Sequence, residues 1–176
     1  MPATSRRQLL REGVRPSDIK NLQHKHVTIV RGQHVYLRLN LPESKKHDKP
    51  IVTLAPAVRV YERLVLMNRA RGYASPDDYL FLPEMQDRKK AVEFAGYQFQ
   101  HILDVAGIGG NVANGKTRTL YSLRHTCITF RLLYGTNIDL ITLARNARTS
   151  VEMIEKFYSS NLSAEMNIDL LQGRRG

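Results

Sequence analysis

Two neighbouring stretches of this sequence carry residue types that act on phosphate. Residues 110–117, Gly-Asn-Val-Ala-Asn-Gly-Lys-Thr, fit the P-loop pattern, in which backbone N–H groups and a lysine cradle a nucleotide's phosphates. Residues 121–126, Tyr-Ser-Leu-Arg-His-Thr, set Arg124 beside His125. Arginine suits phosphate because its rigid fork can hold two oxygens while staying charged. Further candidates lie far apart: Arg15 in "GVRPSD", Lys45 and Lys46 in "SKKHDK", and Tyr158 in "VEMIEKFYSS". His24 and His26 form an H-x-H pair, and alternation in a strand puts both rings on one face. A metal site needs at least one more ligand. Only His34 is near in sequence, so these read as surface histidines and the chain as metal-free.

The P-loop is testable against its flanks. It requires a strand before it and a helix after it, so that N–H groups converge at the helix N-terminus. The preceding segment, 88–106, instead spaces Val92, Ala95, Phe99, Ile102, Leu103 and Ala106 as a helix does, with Gly96 its weak point. No apolar strand ends in an aspartate that would hold magnesium. The pattern therefore reads as a basic loop that carries Lys116 and is followed by Arg118.

The elements that position these residues follow from periodicity and punctuation. A short helix over "SRRQLLREG" ends at Gly13, and a second starts after Pro16 with Asp18 in its first turn. Strands are expected over 26–30, 34–40 and 50–54, the first two joined by a turn at "RGQ". From Pro56 the pattern turns helical and stops at Gly72. Beyond 88–106 and a glycine-rich loop over 107–117, helices are expected at 121–134, 137–147, 150–159 and 162–171. In the first of these, Leu120, Leu123, Cys127, Phe130 and Tyr134 form the expected core face, with Arg124 on its flank. Tyr158 shares a stripe with Val151 and Ile154, which also suits a packing aromatic. The expected fold is a single domain over 1–176, mainly helical with a small antiparallel three-stranded sheet near the N-terminus.

Bulk properties frame the partner. The 176 residues suffice for a core that needs no staple. Lys plus Arg total 27 against 16 acidic residues, a formal charge of +11. That excess favours an anionic partner, because phosphates neutralised by Lys or Arg release condensed counterions. A single cysteine, Cys127, excludes an internal disulfide and suits a reducing compartment; on its apolar face it reads as a small core residue. No signal-peptide core or membrane-length apolar run is present, so a cytoplasmic protein is expected.

Four motifs then combine. "GVRPSDIKNL" (13–22), "SKKHDKPIVTL" (44–54), "YSLRHT" (121–126) and "VEMIEKFYSS" (151–160) occur in the order seen in tyrosine recombinases, the phage-integrase family. The chain resembles that family's catalytic domain from about residue 8 to residue 160. The resemblance implies bacterial or phage origin, double-stranded DNA as substrate, and strand cutting and rejoining without a metal or other cofactor. It implies that Arg15 and Arg124 clamp the scissile phosphate and that Lys45 protonates the departing 5′ oxygen, with Lys46 the alternative if the loop alignment slips by one. Tyr158 would be the nucleophile, forming a 3′-phosphotyrosine link. His125 matches a residue frequent in the family just after the second arginine, and it joins Lys46, Lys116 and Arg118 as candidate contacts to the DNA.

Two positions depart from the family's pattern. Tyr121 stands where the family usually has histidine, and tyrosine is a poor base near neutral pH. Thr149, nine residues before Tyr158, stands where histidine or tryptophan is usual, and the preceding glycine is Arg148. These departures define an alternative reading, a catalytically impaired DNA-binding remnant of an integrase. A P-loop nucleotide-binding protein is the third reading. Family members also grip DNA with a preceding helical domain, and with 14 residues before Arg15 that clamp is expected to be absent. Weak, steeply salt-dependent DNA binding follows, with a monomer off DNA and a homotetramer on it. The tail, about 160–176, is expected to dock on a neighbouring subunit or on its own domain.

Overall fold

The computed structural model describes residues 15–42, 49–109, 115, 117–135 and 138–158. The helices expected over "SRRQLLREG" and 162–171, the C-terminal tail, Lys45, Lys46 and Lys116 lie outside the described residues.

Helix α1 (Pro16–Ile19) begins with proline in its first turn, where a missing N–H costs nothing. Its N-cap is Arg15, and the two ends of the turn lock reciprocally. The Asp18 N–H donates to the Arg15 carbonyl at 3.0 Å, and the Arg15 N–H donates to the Asp18 carboxylate at 3.4 Å.

A 3-10 turn, His24–His26, then leads into the sheet. This corrects the expectation of a strand carrying both histidines on one face. His26 Nδ1 instead accepts from its own turn, the Gln23 N–H at 3.1 Å, while His24 Nε2 lies 3.4 Å from the Asn68 amide nitrogen. Among the described residues no group of three or more His, Cys, Asp or Glu could hold a metal ion.

Strands β1 (Val27–Val30), β2 (Tyr36–Leu39) and β3 (Ile51–Val52) form an antiparallel sheet in that order. Val27 faces Leu39, Val30 faces Tyr36, and Leu39 faces Ile51. Alternation buries Leu37 and Leu39 and exposes Arg38 between them. Thr53 extends the pairing: the Leu37 N–H donates to its hydroxyl, and the Thr53 N–H donates to the Leu37 carbonyl. Helix α2 (Pro56–Ala70) lays Val60, Tyr61 and Leu64 against this face, and Leu22 and Leu80 complete a first apolar core.

Helix α3 (Arg88–Val105) starts at Asp87, whose carboxylate accepts from the N–H groups of Lys89 and Lys90. The helix passes Gly96 without a break. It therefore occupies the place where a P-loop requires a strand, and the sheet of the described residues is antiparallel, so the P-loop reading loses its frame.

Helices α4 (Leu120–Tyr134), α5 (Leu140–Asn146) and α6 (Val151–Tyr158) gather a second core around Ile128, Leu143, Ala144, Ala147, Ile154 and Tyr158. Here the expected face of α4 is corrected. Its buried residues are Arg124 and Ile128, while Phe130 and Tyr134 are 57% and 76% exposed. The helix carries two apolar stripes, and α5 and α6 cover the one that includes the arginine.

One side chain staples the two cores. The Val52 N–H donates to Asn146 Oδ1 at 2.8 Å, and Asn146 Nδ2 donates to the Val52 carbonyl at 3.0 Å. An amide thus serves the edge strand as another strand would, satisfying both its outward backbone groups.

Candidate active site

The site is built from three turns of chain. The N-cap of α1 supplies Arg15, the first two turns of α4 supply Tyr121, Arg124 and His125, and the turn and helix after α5 supply Thr149 and Tyr158. All six line one cavity of about 230 Å³ whose remaining wall is Ile128, Met153 and Phe157. Arg118 lies apart from this cavity: its Nη1 donates to the Ile108 carbonyl at 2.6 Å.

Arg124 is only 3% exposed, which is unusual for a charged side chain unless it is held. Its Nη1 donates to the Ala147 carbonyl at 2.6 Å. Ala147 is the C-cap of α5, so the guanidinium meets the negative end of that helix. The fork is fixed in place by backbone before any substrate arrives.

The chain after α5 closes as a Schellman turn. The Arg148 N–H donates to the Arg145 carbonyl at 3.1 Å and the Thr149 N–H to the Ala144 carbonyl at 2.9 Å. This motif demands a left-handed residue, and Arg148 takes it with φ 52°. Glycine is the residue such a position suits best, because it has no Cβ to clash there. Arginine accepts strain of about 1–2 kcal/mol at such a position and buries its side chain, whose pKa is lowered by burial and raised by the charge of Asp18. Thr149 leaves the same turn into the cavity wall.

Tyr158 is 7% exposed and belongs to the second core, so its ring packs as its stripe with Val151 and Ile154 suggests. Its hydroxyl nevertheless lies 2.8 Å from His125 Nδ1. Tyr121 meets the His125 ring edge-on, with centroids 5.0 Å apart. Burial pushes the Tyr158 phenol up, opposed by the charge of Arg124. Burial, then the charge of Arg124, holds the His125 imidazole below its usual pKa.

Two placements escaped sequence reasoning. His125 meets Tyr158 directly, and its four-residue spacing from Tyr121 on a helix was the available signal. Arg88 had no signal at all. Its guanidinium donates to four carbonyls, those of Lys20, Phe81, Leu82 and Met85, and stacks 4.0 Å from the Tyr79 ring centroid. It thereby ties the C-terminal end of α1, which carries Arg15 at its other end, to the 79–88 segment. It also braces Leu82, which sits at φ 49°.

The order of elements, the three-stranded sheet and the helical second half define the fold of tyrosine-recombinase catalytic domains. The crystal structure of XerA recombinase matches with a TM-score of 0.61 at 20% identity, covering 96% of this chain and 57% of that one. The crystal structure of XerH site-specific recombinase bound to palindromic difH substrate, a post-cleavage complex, matches with a TM-score of 0.62 at 18% identity. It covers 97% of this chain and 47% of that one, so the chain spans about half the length of these neighbours. No protein-family model and no curated protein matches the sequence. Among the described residues no helix is long and apolar enough to cross a membrane.

Proposed function

We propose that this chain is the catalytic part of a site-specific DNA recombinase, cutting and rejoining double-stranded DNA through a 3′-phosphotyrosine link at Tyr158. The observation that carries the reading is the single cavity that gathers Arg15, Arg124, Thr149 and Tyr158 from three separate segments. A pentacoordinate phosphorus gains negative charge on its non-bridging oxygens. The fork of Arg124, held by the Ala147 carbonyl, supplies donors to that charge with little reorganisation during the reaction, and Arg15 adds a second cation. Tyr158 attacks phosphorus, the P–O5′ bond breaks, and Lys45 gives the leaving oxygen its proton. Rejoining reverses each step, so bond energy is conserved in the phosphotyrosine link and no nucleotide or metal takes part. Thr149 offers its hydroxyl to a phosphate oxygen. The net charge of +11 suits a DNA partner. One structural neighbour is a site-specific recombinase bound to a palindromic difH substrate in a post-cleavage complex. Assembly as a homotetramer on DNA, from monomers in solution, belongs to the same proposal.

A nicked suicide duplex tests it. Cleavage releases a short fragment, rejoining is blocked, and the protein stays covalently attached. The expected result is an adduct that forms in EDTA and is lost in Tyr158→Phe. Tight duplex binding with no adduct would instead favour the impaired DNA-binding remnant, the reading motivated by Tyr121 and Thr149.

A further inference from the structure

A buried phenol is a poor nucleophile until its proton has somewhere to go. Burial raises the Tyr158 pKa, which makes a partner for that proton more necessary. In the resembling family the usual histidine lies at the position of Tyr121, and a tyrosine there is a weak base. The cavity therefore needs its acceptor from elsewhere.

Among the described residues lining the cavity, one side chain can accept a proton near neutral pH. Arginine stays protonated, and threonine and tyrosine hydroxyls are poor bases. His125 remains, with Nδ1 2.8 Å from the Tyr158 oxygen and the two rings tilted 36° at 5.4 Å. The contact is within the distance over which general bases work. Tyr121, edge-on to the imidazole, restrains the ring's orientation. The groups facing this pair are Tyr121, Arg124 and Cys127 on α4 and Arg15 on the cavity wall. Burial first, and then the positive neighbour Arg124, disfavour imidazolium, which favours the accepting form.

Resting on the strand-cutting reading, we propose that His125 is the general base that takes the Tyr158 proton as the phenolic oxygen attacks phosphorus. This step requires the tautomer with hydrogen on Nε2 and the lone pair of Nδ1 toward Tyr158, which the 2.8 Å contact accommodates. The Tyr158 O–H bond breaks and its proton moves to Nδ1. The oxygen's electron pair forms the O–P bond, and the P–O5′ pair departs with the leaving oxygen, which takes a proton from Lys45. On rejoining, the His125 imidazolium returns its proton to the departing phenolate. His125 thus performs the task that the histidine usual at position 121 would otherwise be available for.

Two measurements test this. Nitrogen NMR of the free protein reads the tautomer directly: an unprotonated Nδ1 that shifts in Tyr158→Phe is expected, and a protonated Nδ1 overturns the assignment whatever the activity. Adduct formation on the suicide duplex is then compared for wild type and His125→Gln, a variant of similar size whose amide is not basic. A loss of about 10²-fold is expected, together with loss of the wild-type decline in rate as pH falls and His125 becomes protonated. The defect should persist on a duplex with a 5′-thiolate leaving group, which departs without protonation. Recovery on that substrate would move His125 to the leaving group and overturn the proposal. A wild-type rate in His125→Gln overturns the role of His125 alone. No adduct from wild type overturns the strand-cutting reading and this step with it.

Discussion

The two cores of this protein obey different rules. The sheet core is apolar at its centre: Leu22, Leu37, Leu39, Ile51 and Leu80 are essentially sealed, and their charged neighbours point outward. The helical core encloses Ile128 and Ile154 but also packs the Tyr158 ring, and Arg124 and Arg148 are buried beside it. A buried arginine contributes little to stability after its desolvation, while a sealed leucine contributes directly. The first region is therefore organised for folding. The second gives up part of that benefit to hold a cation and a phenol at one cavity.

The largest effect that would break this contrast lies in the sheet. Leu39→Ala should cost about 4 kcal/mol in urea unfolding, within the range for leucine truncation in a sealed core. Adduct yield per folded molecule on the suicide duplex should not change; a fall would show that the sheet core takes part in the chemistry. Arg124→Lys should show the reverse. Loss of the fork should slow adduct formation by about 10²-fold or more, roughly 3 kcal/mol of transition-state stabilisation. The unfolding midpoint should move less than in Leu39→Ala, because a cation and its packing remain. Equal stability losses in the two variants would erase the distinction between the cores.

Asn146→Ala sharpens the boundary between the regions. Removing the staple should cost about 1–2 kcal/mol, since both hydrogen bonds lie at a partly wet edge. Hydrogen exchange should speed at the Val52 amide while amides deep in both cores stay protected. The smallest effect concerns Arg148. Arg148→Gly should be about 1 kcal/mol more stable than Arg148→Ala, because both lose the side chain but only glycine relaxes the left-handed backbone. Equal midpoints would mean that φ 52° carries no strain at this turn.

Much of this architecture was legible locally. Period-two alternation marked Leu37 and Leu39, Pro56 marked the start of α2, and Asp87 stands as N-cap where the helical pattern of 88–106 begins. The corrections share one cause. Sequence periodicity on α4 offers Leu120, Leu123, Cys127, Phe130 and Tyr134 as one stripe, and Arg124 with Ile128 as another. Which stripe is buried depends on where α5 and α6 arrive. His24 and His26 lie in a 3-10 turn because backbone pairing with the 76–78 segment holds it, and those partners are remote in sequence. The Asn146 staple spans 94 positions, and the four carbonyls of Arg88 belong to turns with no shared pattern.

The sequence by itself determined the strands and main helices of the described residues, the basic character and the residue types of the candidate site. Each follows from short-range periodicity, turn chemistry or a sum over side chains. Tertiary structure alone decided that Arg124 is buried against the end of α5, and that Arg15 and Thr149 share its cavity. It alone set His125, not Tyr121, against the Tyr158 hydroxyl. These are consequences of packing three helix ends together. A contact between residues 33 apart exists only once the intervening turn has folded back on itself.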